Sequence, residues 1–373
     1  MSIPAGLLPS PFQDRVNPEL SEEDFIPVSG QAVPLWLTGP ALEYDAFRNT
    51  AGLIDFSMLY KWEISGPTAT ETVNSVFSRD VSKLSNGSIA YGVIVSVSGT
   101  MIDDCTVLKY SDSHYRITGG NKEDEAIIKA YLGSNSLSEV RNQVATLSLQ
   151  GPRSREILQE LTTEDLSNEA FPYYTFKTEV PIAGIPAHIN RMGFTAELGY
   201  EIMVHADLAN ELWDAVASTG AKYGAVGCGA IALMMVRVEA GMIMAELEYD
   251  HETSPFECRM GWAVELEKGQ FHGRDSLVAL KDKARHTVVS VTIEGEAEGV
   301  DGATIILDGE EVGLVTMAVP SPELGGKTLA LAKLKKGITS AGQELQVVVD
   351  GNTRSAFVVA TPVYDPERKK VRS

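Results

Sequence analysis

Five short stretches near the C-terminal end decide the fold class: Val288-Val-Ser-Val-Thr-Ile293, Thr304-Ile-Ile-Leu307, Glu311-Val-Gly-Leu-Val-Thr316, Thr328-Leu-Ala-Leu-Ala-Lys-Leu334 and Glu344-Leu-Gln-Val-Val-Val349. Each is a β-branched or apolar run of strand length. Asp308-Gly309 and Asp350-Gly351 sit beside such runs, a good hairpin signal. No helical period interrupts them. Residues from about 285 to 373 therefore read as a small all-β domain, set off from what precedes it by the charged stretch Lys281-Asp-Lys-Ala-Arg-His286.

Upstream, strands and helices are mixed. Residues 1 to 40 are rich in proline and acidic residues and read as an irregular lead-in. Leu42 to Arg48 has helical spacing. Gly52-Leu-Ile-Asp-Phe56 and Lys61-Trp-Glu-Ile-Ser65 read as strands, the second ended by Gly66-Pro67. Helical spacing returns at Thr68–Phe77, Glu123–Leu132, Arg153–Leu161 and Asp207–Ser218. Strands are expected at Tyr91–Val97, Thr106–Tyr110, Val144–Leu149, Ala187–Met192 and Tyr200–Val204. Strict βαβ alternation is absent, which favours an α+β class over a doubly wound sheet. The expected division is residues 1–284 and 285–373.

The chain has 373 residues, more than one ordinary domain holds. Its 31 basic and 51 acidic residues leave a net charge of −20, with no basic footprint for nucleic acid. Cys105, Cys228 and Cys258 are too far apart in sequence for a CxxC pair or a disulfide framework, which suggests a reducing, cytoplasmic setting. Residues 1 to 14 show no secretory leader pattern. Ala225 to Ala245 is the most apolar stretch, but Arg237 and Glu239 interrupt it, so a buried soluble segment is expected and not a membrane span.

The six histidines are scattered, without HExxH or His–Cys spacing, and no metal site is expected. A nucleophile elbow and a Walker loop are also missing, and Gly227-Cys-Gly229 does not continue to a third glycine. Three polar features remain. In Met101-Ile-Asp-Asp104 two carboxylates adjoin; on a strand they would face opposite ways, one into a pocket as a base, although a turn-closing pair is the commoner use. Arg191-Met-Gly-Phe-Thr-Ala-Glu-Leu-Gly-Tyr-Glu201 gathers aromatics and carboxylates that could hold a flat amine-bearing ring, or simply form a hairpin with exposed charges. Val236-Arg-Val-Glu-Ala-Gly-Met242 places Arg237 and Glu239 in an apolar run, where a structural ion pair is the plain expectation.

The order of these motifs resembles the folate-dependent aminomethyltransferase family, that of the glycine-cleavage T-protein. The likeness spans about Ala51 to Val363 and rests on Ala51-Gly-Leu-Ile-Asp-Phe-Ser57, Glu63-Ile-Ser-Gly-Pro67, Ile102-Asp-Asp104, Leu149-Gln-Gly-Pro152, the Arg191–Glu201 segment, Arg237-Val-Glu-Ala-Gly-Met242, Ser254-Pro-Phe-Glu257 and Gly261-Trp262. The resemblance implies two mixed α/β subdomains around a central folate pocket, with a C-terminal small β-barrel. It implies tetrahydrofolate as cosubstrate and a small-molecule one-carbon donor, with an accessory protein as a further possible partner. By the family's thirteen-residue spacing from a pocket tyrosine, Tyr91 and Asp104 correspond, which makes Asp104 the catalytic candidate and Asp103 its neighbour. Glu201 corresponds to the pterin-binding glutamate, Phe194 and Tyr174 to pocket aromatics, and Asn121 to a folate-site asparagine shifted by about one place.

Departures separate this chain from the T-protein pattern. Asp55-Phe-Ser-Met-Leu-Tyr60 lacks a histidine, Ala232-Leu-Met-Met235 lacks an arginine, and Pro362-Val-Tyr-Asp-Pro-Glu-Arg368 resembles the ending of demethylase-like relatives. They favour a tetrahydrofolate-dependent demethylase acting on a methoxyaromatic, sulfonio or amine compound, with glycine-cleavage aminomethyl transfer as the alternative. A non-enzymatic folate-binding iron–sulfur assembly factor fits less well, because Gln270 stands where its relatives carry a cysteine. A detached domain of a flavin-linked oxidase would need a separate nucleotide-binding partner.

Overall fold

A computed structural model describes residues 3–373. The chain builds two large sheets and a closed barrel. The first sheet has six strands, ordered Phe176–Ile182, Ile185–Asn190, Gly199–His205, Val144–Gln150, Gly52–Asp55 and Val226–Gly227. All its neighbours are antiparallel except the last pair. The second sheet is antiparallel throughout: Ser88–Val95, Met101–Ser111, His114–Gly119, Tyr60–Ser65 and Ser136–Glu139. A backbone bridge between Ser88 and Thr175 joins the two sheets at one edge.

Six strands close the barrel in the order His286–Ile293, Lys327–Lys335, Glu310–Ser321, Thr304–Leu307, Glu344–Val349 and Asn352–Val359. Alternation explains its two-sided burial. Along Lys327–Lys335, Ala330, Ala332 and Leu334 fill the barrel interior, while Leu329 and Leu331 face the central core shared with the rest of the chain. The continuous apolar run Thr328-Leu-Ala-Leu-Ala is thus a strand buried on both faces. The sixth strand, Asn352–Val359, adds to the five expected; its Asn-Thr-Arg-Ser start is polar, largely exposed and carries no hydrophobic alternation.

Two further expectations need correction. The lead-in is not irregular throughout: Phe25–Val28 and Gln31–Pro34 form a hairpin turned at Ser29-Gly30, both at positive φ. Residues 1 and 2 of it lie outside the described residues. The second aspartate-bearing strand starts at Met101, five residues before the expected Thr106, so Asp103 and Asp104 are mid-ladder residues and close no turn.

The helix Ala230–Glu239 is buried on nearly all sides and packs between the helix Pro40–Asn49 and the barrel. Arg237 and Glu239 are both fully buried, yet they do not pair with one another. Arg237 donates to Glu248 at 2.6 Å, and Glu239 accepts from Arg48 at 2.8 Å, Tyr44 at 2.9 Å and Ser321 at 2.7 Å. Positions two apart on a helix point in different directions, so each finds its own partner. Among the described residues no helix is long and apolar enough to cross a membrane.

Candidate active site

Asp104 sits on Met101–Ser111 and Tyr91 on the neighbouring Ser88–Val95. The register places Tyr91 opposite Thr106, so Asp104 is its diagonal neighbour on the same face. The tyrosine hydroxyl donates to Asp104 Oδ2 at 2.6 Å. Thus the thirteen-residue spacing is the sum of a short turn and one diagonal step across a hairpin. Tyr249, from a distant loop, donates to Asp104 Oδ1 at 2.5 Å, and its oxygen accepts the Asp104 N–H at 3.1 Å. Burial raises the Asp104 carboxyl above the usual range, against these hydrogen bonds.

Asp103 points to the other face. Its Oδ2 accepts the backbone N–H groups of Gly120 (2.7 Å) and Asn121 (3.0 Å), and its Oδ1 lies 3.3 Å from the Tyr249 hydroxyl. Burial, then the charge of Asp104, pushes it up to about 7. Gly119 is required here: a Cβ would lie 2.2 Å from Asp103 Oδ2. Asn121 clamps this strand start, its side chain donating to the Ile102 carbonyl at 3.0 Å.

Glu201 is buried at the middle of Gly199–His205. Asn190, directly across the ladder, donates to Glu201 Oε2 at 3.2 Å. Asn190 Oδ1 in turn lies 2.8 Å from His188 Nε2. Burial holds His188 down at about 3, so the ring is neutral and its Nε2–H serves as donor, fixing the amide's orientation. Burial lifts Glu201 to about 7. Lys61, buried nearby and bonded at 3.0 Å to the Leu59 carbonyl, is pushed down to about 8 by burial and the neighbouring Arg116.

The aromatic candidates border the same interior. Tyr91 and Phe194, each half-buried, pack against the central core. Tyr174 is held at positive φ on the seam between the two sheets, its N–H donating to Arg191 and its carbonyl accepting from Ile89. Its ring stands edge-on to Tyr173 at 4.4 Å. The exposed Trp262 lies 6.1 Å from the Tyr91 ring. The Arg191–Glu201 segment is a loop leading into a buried strand, and its charges are not exposed: Glu197 is buried against Arg48 and Tyr364.

Reading the chain alone missed Tyr249, Lys61, Asp124 and the Asn190–His188 support. Nothing local marks Tyr249, which meets Asp104 from 145 residues away. Among the described residues no group of three or more His, Cys, Asp or Glu side chains is arranged to hold a metal ion.

Residues 21–268 match the family described as "GCVT N-terminal domain", and residues 286–365 match "Glycine cleavage T-protein C-terminal barrel domain". Among curated relatives, a protein of Shouchella clausii named aminomethyltransferase is 33% identical over 342 residues, 90% of this chain and 92% of its own. One of Symbiobacterium thermophilum with the same name is 32% identical, covering 92% of this chain and 94% of its own. The solved structure of the glycine cleavage system aminomethyltransferase T from Bartonella henselae superposes with a TM-score of 0.84 at 21% identity, over 96% of this chain and 98% of that one, and so shares its fold.

Proposed function

The chain belongs to the glycine-cleavage T-protein family, and from that premise we propose that it is a tetrahydrofolate-dependent aminomethyltransferase. The observation that carries this reading is the half-buried Asp104 carboxylate, aimed by two tyrosine hydroxyls and, among the described residues, without a cation to neutralise it. Transfer to folate needs an acceptor nitrogen aligned with the incoming carbon at near-attack distance. Asp104 orients that nitrogen and takes its proton as the new C–N bond forms, while the carbon's bonds to the carrier sulfur and to its amine break and release the carrier thiol and ammonia. Glu201 accepts paired N–H donors of the pterin, while Tyr91, Tyr174 and Phe194 flank its ring and Asn121 braces the strand that carries Asp104. The buried, hydrogen-bonded carboxylate of Glu201 fits such a ligand: a flat ring with two adjacent N–H donors satisfies it without a cation. The division at 284/285 separates this folate-binding part from the barrel. The aminomethyl donor would arrive on a carrier protein.

A second reading, a demethylase, is favoured by one specific feature. Met58 and the stretch Ala232–Met235 put apolar side chains into the central core at the family's histidine and arginine positions. Product identity decides between them. Purified protein with tetrahydrofolate and an aminomethyl-lipoyl carrier should give methylenetetrahydrofolate and ammonia. A 5-methyltetrahydrofolate product from a methoxy-, methylsulfonio- or methylamino-compound, with none from the carrier, would replace the first reading by the second.

A further inference from the structure

Behind the two hydrogen-bonded aspartates lies a third carboxyl group, Asp124, at the first position of the helix Asp124–Ala130. It has no exposure, and neither of its oxygens accepts a hydrogen bond from any donor among the described residues. An ionised carboxylate in that position would be an uncompensated buried charge. What it does face is Asp103. A Cβ placed on Gly119 would lie 2.2 Å from Asp103 Oδ2 and 3.1 Å from Asp124 Oδ2, so both carboxyl oxygens crowd onto one glycine, and the two groups are within hydrogen-bond reach. Two carboxyl groups that meet this way share a proton. Asp103 already accepts two backbone N–H bonds, which suit an anion, whereas Asp124 accepts none. The shared proton therefore sits on Asp124.

We propose that Asp124 is a positioning residue for Asp104: held as the un-ionised acid, it donates to Asp103 and favours the ionised form of that neighbour beside the reacting carboxylate. The connection runs Asp124 to Asp103, Asp103 Oδ1 to the Tyr249 hydroxyl, and Tyr249 to Asp104 Oδ1. The negative charge on Asp103 strengthens Asp104 as a base. When Asp104 takes the proton of the acceptor nitrogen, the Tyr249 hydroxyl can turn its hydrogen to Asp103, so no group in the line is left without a partner. The groups facing this line are few. Asp124 faces Cys105 and Glu123; Asp104 faces Tyr91, Tyr249, Glu248 and Cys258. Glu248 is itself paired with Arg237. Tyrosines and buried thiols are neutral near pH 7.

This inference rests on the proposed reaction for its kinetic arm only. Infrared spectroscopy of the wild-type protein should show a protonated-carboxyl C=O band that persists above neutral pH and disappears in Asp124→Asn. No such band, or one unaltered in Asp124→Asn, overturns the assignment whether or not any transfer is observed. Asp124→Asn retains a neutral donor and should keep the pH profile of kcat. Asp124→Leu removes the donor, so Asp103 takes up the proton itself and its charge beside Asp104 is lost. The acid limb of that variant should shift to lower pH and kcat should fall about tenfold, the scale of a weakened general base, with KM for tetrahydrofolate little changed. Equal losses in the two variants, or a wild-type profile in Asp124→Leu, mean that Asp124 merely fills space. Should Asp124→Leu fail to fold by circular dichroism, the infrared comparison with Asp124→Asn still decides.

Discussion

The chain holds two sets of carboxylates inside the fold, and they are treated in opposite ways. Glu239 and Glu248, at the contact between the helix Ala230–Glu239 and the barrel, each meet an arginine, Arg48 at 2.8 Å and Arg237 at 2.6 Å. Their remaining bonds come from Tyr44, Ser321 and Thr316, all neutral hydroxyls. Asp103, Asp124 and Glu201 are buried and Asp104 half-buried, yet among the described residues none of them takes part in an ion pair; tyrosine hydroxyls, an asparagine amide and backbone N–H groups hold Asp103, Asp104 and Glu201, and Asp124 accepts from no donor. Cation pairing in the first set ties the helix Ala230–Glu239 to its neighbours. Neutral donors leave the second set poised between protonation states, and burial lifts Asp103 and Glu201 to about 7.

The comparison breaks most visibly at the paired set. Arg237→Leu strands Glu248 as a buried unpaired charge, and the expected cost is about 3–5 kcal/mol of folding stability. Denaturant unfolding measures it, with the loss concentrated in docking of the barrel. A cost below ~1 kcal/mol would show that this contact does not need its charge.

At the unpaired set the effect should fall on chemistry instead. Asp104→Asn is expected to lower turnover by about 10²-fold or more with the fold and folate affinity retained. Asp103→Asn should be milder, because Asp103 faces away from Tyr91. Single-turnover kinetics on both proteins check the order; equal losses would assign the reaction to the pair as a unit.

Glu201→Gln should weaken tetrahydrofolate binding by about 1.5–3 kcal/mol, the range for a charged hydrogen bond. The pH dependence sharpens the point. With its folded value raised to about 7, Glu201 is increasingly ionised as pH rises through that range, so wild-type affinity should increase there and the variant should be flat. The same rise works against the fold: the folded state keeps a proton that the unfolded chain gives up above the ordinary glutamate value. Stability contributed below that value is therefore lost as pH climbs to about 7. Isothermal titration and thermal melts across this window test both signs.

Some of this arrangement was legible without coordinates. The barrel follows from five strand-like runs and two Asp-Gly turns, since alternation is a local property. Its closing strand Asn352–Val359 was not, because its first four residues are polar and largely outward-facing and only Ala356 and Val358 turn inward. The Asp103–Asp104 pair was visible as chemistry, and opposite-face placement follows from any strand. The start of that strand at Met101 was not visible, because Met101-Ile-Asp-Asp lacks alternation and is held by pairing to Ile94 and Val95. Arg237 and Glu239 were readable as buried charges but not as members of two separate pairs.

What the chain determines by itself, then, is which segments alternate, where they turn, and which polar residues are committed to the interior. Short-range sterics and the two-residue period of a strand suffice for that. What only the tertiary structure decides is who those polar residues meet. Tyr249 reaches Asp104 from 145 positions away, Arg48 reaches Glu239 from 191, and Asp124 meets Asp103 only where Gly119 lets two carboxyl groups approach. A buried carboxylate has no preferred partner in sequence; it becomes a lock or a base according to whether folding brings it a cation or a neutral donor.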